Sequence, residues 1–369
     1  MKLGINKITG GRQTRLALAS VATAVALLVG IVIPQADAAT KFPSKPKGTE
    51  LNLYNWSNYI DPELLKRFTV ETGIKVNLGV YESNAQMLAK LEAGARGYDI
   101  IVPTDYMVDI MKKKKLLQMI QRSSFPNAGN LKPEFTNPYF DRGRFYTVPY
   151  LHGLTGFAYL KDKVTTNPTT WKEFFAAIPS YPGKTTIFDD KKEVIDAALR
   201  SFGYKPCTKN VDQLQRAQDL IKSIKPSLNT IASSGNIGRL SSGTSVLLMM
   251  YNGATYKAKL TNPNVVFVYP KDKMPLWQDN FAIPVGAKNI DNAKIFLNWM
   301  MDPKNAAQAS NWAAYNNGIT GSEKYLTKAM QDDTAFSPTA AQMANGVAMA
   351  PCSTEVNDLY TKVWTAFKQ

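Results

Sequence analysis

Two cysteines and one histidine are all that 369 residues supply of the side chains that most often hold zinc or pair as nucleophile and base. Cys207, Cys352 and His152 lie far apart and make no ligand cluster of metal-site spacing. One histidine leaves no Ser-His-Asp or Cys-His pairing except through His152 itself. His152 stands among apolar and glycine residues, where a packed or hydrogen-bonded ring is the plainer reading. A GxSxG elbow, a P-loop and a GxGxxG turn in a suitable setting are all missing. There is no internal repeat and no long low-complexity tract, and the 44% hydrophobic, 20% charged composition is that of an ordinary globular chain. These absences argue against an enzyme and against any bound metal or cofactor.

The length suits two domains of ordinary size. Lys2, Lys7, Arg12 and Arg15 precede an apolar stretch from Leu16 to Ile33, and Ala36-Asp37-Ala38 has the small-x-small form of a cleavage site. Residues 1–38 therefore read as a signal peptide. An uncleaved anchor is the competing reading of the rather long apolar stretch, and Pro34 and the Ala-x-Ala pattern favour cleavage. No other stretch is apolar enough to span a bilayer, so a periplasmic location is expected. There two cysteines can pair, although the sequence leaves open whether Cys207 and Cys352 do.

The formal charge is +15. Losing the four basic residues and Asp37 of the signal lowers it to +12, still strongly basic. Nucleic acid is the usual partner of such a chain. Here the densest run, Lys112-Lys113-Lys114-Lys115, closes a helix, where lysines suit the dipole, and no aromatic-interleaved basic motif occurs. No nucleic-acid partner is expected, and a monomer is.

A strand–helix rhythm begins after a Pro- and Lys-rich leader over residues 39–50. Strands are read at Leu51–Tyr54, Ile74–Leu78 and Tyr98–Val102, with helices at Pro62–Thr72, at Asn84–Glu92 behind a Ser83/Gln86 capping box, and from Tyr106 to Lys115. Three such units argue a parallel sheet with helices on both faces. From Arg144 to Leu160 extended segments mark a first crossing between lobes. Helices follow from Thr170, after Asp190 and over Val211–Ile224, with strands at Thr185–Phe188, Ser245–Tyr251 and Val265–Tyr269. The segment Phe281–Pro284 reads as a strand returning to the first lobe, and a last helix runs from about Thr354 to Phe367. The expected fold is α/β and two-lobed, with a ligand cleft between the lobes. Lobe 1 takes 51–149 plus about 280–325. Lobe 2 takes about 150–279 plus about 326–369.

Polar and aromatic residues fall just past strand ends: Trp56, Ser57, Asn58 and Tyr59; Thr104 and Tyr106; Asp190 and Glu193; Tyr251; Trp277 and Asp279; and Tyr315. Aromatic faces attract ammonium groups at about 0.5–2 kcal/mol each and bury methylene at about 0.8 kcal/mol per group. Carboxylates add charge-assisted hydrogen bonds. Together they suit an apolar stem with cationic ends, the shape of an aliphatic polyamine. Each piece has a bland alternative. Asp190 and Glu193 fit a helix cap and its partner three residues on, Trp277 a core plug, and Asp279 a turn residue.

Tyr54-Asn55-Trp56-Ser57-Asn58-Tyr59 resembles the YNW(S/T)xY opening of the periplasmic spermidine/putrescine-binding proteins of polyamine ABC importers. Glu71-Thr72-Gly73-Ile74-Lys75-Val76, Tyr81-Glu82-Ser83-Asn84, Tyr98-Asp99-Ile100-Ile101-Val102-Pro103, Asp189-Asp190 with Glu193, and Trp277-Gln278-Asp279 follow at that family's spacing. The resemblance covers roughly Leu51 to Tyr325. It implies a type II periplasmic binding-protein fold that closes on spermidine or putrescine by a hinge and docks on the importer's permease subunits. It also implies that Trp56 and Tyr59 line the amine chain, with Thr104 and Tyr106 at a Ser-x-Tyr site. Asp190 and Glu193 meet an amine, Trp277 stacks on the chain, Asp279 holds an ammonium, and Tyr315 corresponds to a late aromatic.

The chain departs from that pattern at three places. Asn58 stands where relatives often carry Asp or Glu, Tyr251 where Trp is usual, and His152 where Trp or Tyr is expected. A binding protein of the same fold for another cationic amine, or for an anion drawn by the basic surface, is the alternative. An acid/base role for Asp190 and Glu193 is disfavoured, because adjacent turns of one helix do not place two carboxylates across a bond.

Overall fold

The computed structural model describes residues 43, 45–94 and 96–369. The expected signal segment, 1–38, lies outside them. The leader's last residues are tied to the fold: the Lys47 amide donates to Asn292 Oδ1 at 3.0 Å, and Glu50 already belongs to the first strand.

The first part of the chain alternates β1 (Glu50–Trp56), α1 (Pro62–Thr72), β2 (Lys75–Tyr81), α2 (Asn84–Glu92), β3 (Ile100–Ile101) and α3 (Asp105–Lys113). The helix starts are chemically explicit. Asp61 accepts from the Glu63 amide ahead of Pro62, and Ser83 accepts from the Gln86 amide. After a stretch of short 3-10 turns comes β4 (Thr147–Leu160), then α4 (Trp171–Ala177), β5 (Thr185–Ile187), α5 (Lys191–Ser201), α6 (Val211–Ile224), β6 (Leu228–Ile231), α7 (Asn236–Ser242), β7 (Leu247–Tyr251), α8 (Asn252–Thr261) and β8 (Val265–Val268). The chain continues through β9 (Met274–Ala282), α9 (Ile290–Met300), α10 (Pro303–Ala313), β10 (Asn316–Asn317), α11 (Lys328–Asp332), α12 (Ala340–Met343), β11 (Gly346–Ala348) and α13 (Thr354–Lys368).

The strands run in the order β2-β1-β3-β9-β4-β7-β5-β6, with β8 and β10 beside β4 and β11 beside β9. β4 carries the sheet from one half of the fold to the other. Its first residues pair antiparallel with β9, from Thr147 opposite Ala282 to Leu154 opposite Leu276. Its last residues pair with β7, from Thr155 opposite Tyr251 to Tyr159 opposite Leu247. The two extended pieces read in the sequence are thus one strand. β1 pairs parallel with β2 and β3, and β5 pairs parallel with β6 and β7, so each half has its own parallel core.

Two large apolar cores follow that division. One gathers Leu53, Phe68, Phe281, Phe296 and Leu297. The other gathers Trp171, Phe174, Ile195, Leu247 and, from α13, Tyr360 and Phe367. Cys207 and Cys352 are bonded, with their Cα atoms 5.2 Å apart, and so fix the approach to α13 against the second core. Closing 145 residues into a loop removes much unfolded-chain freedom. No helix among the described residues is long and apolar enough to cross a membrane.

Candidate functional site

All twelve residues singled out in the sequence line one cavity of about 270 Å3. Most arrive there from strand ends and helix starts; Trp277 and Asp279 instead lie inside a strand, because β9 begins at Met274 and not at Phe281 as expected. The loop after β1 supplies Trp56, Ser57, Asn58 and Tyr59, and the start of α3 supplies Thr104 and Tyr106. The start of α5 brings Asp190 and Glu193, and the end of β7 brings Tyr251. β9 contributes Trp277 and Asp279, and the residues after α10 contribute Tyr315.

The aromatic wall is a chain of edge contacts. Trp277 meets Tyr251 at 5.6 Å between ring centroids and Tyr315 at 5.1 Å, and Tyr315 meets Tyr59 at 5.8 Å. Two glycines make the packing possible. A Cβ on Gly153 would lie 2.6 Å from the Trp277 ring, and one on Gly253 would lie 2.6 Å from the Tyr315 ring. Tyr251 stacks on Phe188 at 4.6 Å. Trp56 is held by its indole N–H, which donates to the Val102 carbonyl at 2.9 Å. Ser57 and Asn58 are exposed on the turn that follows. Asn58 has φ of 53°, a left-handed conformation that asparagine tolerates well. Its identity therefore has a backbone reason independent of any ligand.

The carboxylates are placed by hydrogen bonds that leave part of each free. Asp279 is 6% exposed and accepts from the Thr104 hydroxyl at 2.7 Å. Thr104 in turn is held by Asn84, whose amide also donates to the Tyr106 hydroxyl at 3.1 Å. Burial pushes Asp279 up to about 7, against the pull of the Thr104 hydroxyl. Glu193 is 4% exposed, and one of its oxygens accepts from the Thr155 hydroxyl at 2.9 Å. Its other oxygen, Oε2, has no partner. Burial and the neighbouring Asp190 push Glu193 up to about 8. Asp190 does cap α5, because its Oδ1 accepts from the amides of Lys192 and Glu193. The capping role does not remove it from the cavity, which it still lines.

Three buried polar atoms without partners belong to this lining: Glu193 Oε2, the Tyr59 hydroxyl and the Trp277 indole N–H. A buried polar atom left unpaired costs about 1–3 kcal/mol. Finding three on one cavity marks it as a place where something else completes the set.

Residues that the sequence reading passed over also line it, among them Glu82, Asp189, Ser233, Asn236 and Lys257. The segment around Ser233 was not assigned an element in the sequence, and α8, which carries Lys257, was not read as a helix. His152 is elsewhere. It pairs with Asn316 in the β4–β10 ladder, its ring lies 5.0 Å from that of Phe135, and burial lowers its pKa to about 4. Among the described residues no group of three or more His, Cys, Asp or Glu is arranged to hold a metal ion.

Residues 63–338 match the family of bacterial extracellular solute-binding proteins, and the chain belongs to that family. Among its relatives, the spermidine/putrescine-binding periplasmic protein of Escherichia coli K12 is 34% identical over 298 residues, 80% of this chain and 85% of the relative. The putrescine-binding periplasmic protein SpuD of Pseudomonas aeruginosa is 31% identical over 335 residues, 86% and 91% of the two chains. The solved structure of PotD from Streptococcus pneumoniae, a spermidine/putrescine ABC transporter substrate-binding protein, superposes with a TM-score of 0.74 at 30% identity. It covers 87% of this chain and 99% of its own. The fold is the two-lobed one of those binding proteins, and the chain is a binding protein rather than an enzyme.

Proposed function

We propose that this protein captures a polyamine of the putrescine or spermidine class outside the cytoplasm and hands it to the membrane permease of an ABC importer. The observation that carries the reading is the unpartnered Glu193 Oε2, buried in a cavity that Asp279 also lines and whose walls are aromatic. A carboxylate at that depth lacks only a cation. Five carboxylates line the cavity against one lysine, which speaks against an anionic ligand despite the chain's basic total. Surface charge is screened beyond roughly 8–10 Å at ordinary salt, so the local lining decides.

In this reading Asp279 holds one ammonium and Asp190 with Glu193 another. Trp56, Tyr59, Tyr251, Trp277 and Tyr315 sheathe the methylenes, and Thr104 and Tyr106 set the walls. Ser57 and Asn58 close the rim. The lobes, 51–149 with about 280–325 and about 150–279 with about 326–369, hinge shut on the ligand through β4 and β9. The working form is a periplasmic monomer freed of residues 1–38, carrying no cofactor. The relatives' names for their own ligands support the amine class.

A thermal-shift panel tests the reading. Putrescine and spermidine raise Tm with concentration, as a ligand of the native state must, while carboxylates of matched length leave it unchanged. A panel in which no amine stabilises the protein removes the proposal. Mass spectrometry of the purified protein under non-denaturing conditions identifies any amine that travels with it.

A further inference from the structure

Lys257 is the one cation among the described residues that line the cavity. It stands on α8 three residues after Ala254, which also lines the cavity, so the two share the face of the helix that borders it. Its ammonium lies 4.5 Å from the centre of the Trp312 ring, on the helix that leads into Tyr315. It is half-buried and makes no ion pair with any carboxylate of the lining. Loss of water lowers its pKa with no carboxylate pulling the other way.

The other charges of the lining are already placed. Asp279 and Glu193 are the two deeply buried carboxylates, with Asp190 beside the second. Asp189 is paired with Lys368 at 2.8 Å, and Glu82 is exposed to water. The turn at Ser57 and Asn58 is neutral. Two ammonium groups are therefore matched by buried carboxylates, and a third would share the cavity with Lys257 and with only the water-exposed Glu82 left to meet it.

We infer that Lys257 determines specificity by charge repulsion, so that the cavity selects a diamine over a triamine. The inference rests on the polyamine reading and narrows it. Like charges enclosed in one cavity with low-dielectric walls repel by enough to shift binding about tenfold, and building in such a clash is a common route to discrimination.

Calorimetry with putrescine and spermidine on the intact protein tests it. Wild type binds putrescine more tightly. Lys257→Gln tightens both amines and tightens spermidine about tenfold more, Lys257→Glu moves the ratio further in the same direction, and Lys257→Arg keeps it near wild type. An equal change for both amines in the Gln and Glu variants, or a wild type that favours spermidine, overturns the inference and leaves the polyamine reading standing. A wild type that binds neither amine overturns the polyamine reading itself.

Discussion

Asp279 and Glu193 solve the same problem in different ways. Each is a carboxylate more than nine-tenths buried, each takes a hydrogen bond from a threonine hydroxyl, and each is raised by burial. Asp279 sits on a strand, and its threonine is itself clamped by Asn84 in a chain that reaches Tyr106. Glu193 sits one turn into a helix next to a second carboxylate, with a bare oxygen. The first station is held by a chain of hydrogen bonds. The second gathers negative charge and has less to hold it ionised. A dicationic ligand must help to create both charges, the second more than the first.

Replacing the first station has the largest effect. Asp279→Asn keeps the shape, removes the charge and costs about 2–5 kcal/mol of amine binding. Calorimetry reads it, and an unchanged affinity would take Asp279 out of the site. Glu193→Gln costs somewhat less, about 2–3 kcal/mol, because Asp190 remains beside it.

The same variant separates the stations by pH. Folded pKa values of about 7 and about 8 stand above those of unfolded carboxylates, near 4. The ligand-free fold therefore binds more protons than the unfolded chain, and its stability falls as pH rises through the folded values. His152, lowered to about 4, works in the opposite sense below roughly pH 6.5, so the clean window is about pH 6.5 to 8. Across it the ligand-free Tm declines, amine affinity rises and binding releases protons. Glu193→Gln flattens the upper half of that decline. A ligand-free Tm that is level across the window in wild type contradicts the raised values.

What the sequence made legible was local. Asp61-Pro62, Ser83 and Thr170 announce their helices because a cap is a contact between near neighbours. Trp56 was recognisable because a strand-end aromatic beside small polar residues is an uncommon pattern, whereas Trp277 was read as lying ahead of a strand and in fact sits within β9. The single span of β4 was not, since a strand shared by two halves of a sheet is defined by partners about 130 and 90 residues further along. Lys257 could not be seen either. In the chain it is one lysine in a polar helix, and only its position in the cavity lining sets it apart. Asp190 shows the reverse case: the sequence offered cap or site as alternatives, and the two oxygens of one carboxylate allow it to cap while still lining the cavity.

The smallest expected effect asks whether the two threonines do equal work. Thr155→Ala and Thr104→Ala each remove one hydrogen bond to a buried carboxylate, a loss of about 1 kcal/mol in binding. They differ in what remains. Without Thr155, Glu193 keeps no hydrogen bond at all, its pKa rises further, and amine binding needs a higher pH to reach full strength. Without Thr104, Asp279 still faces the Tyr59 hydroxyl, but Asn84 loses an acceptor, so the cost appears in ligand-free stability as much as in affinity. Titrating amine affinity against pH in both variants separates the two. If Thr155→Ala moves neither the affinity nor its pH dependence, Glu193 does not face the ligand, and Asp279 with Asp190 must carry the charge recognition without it.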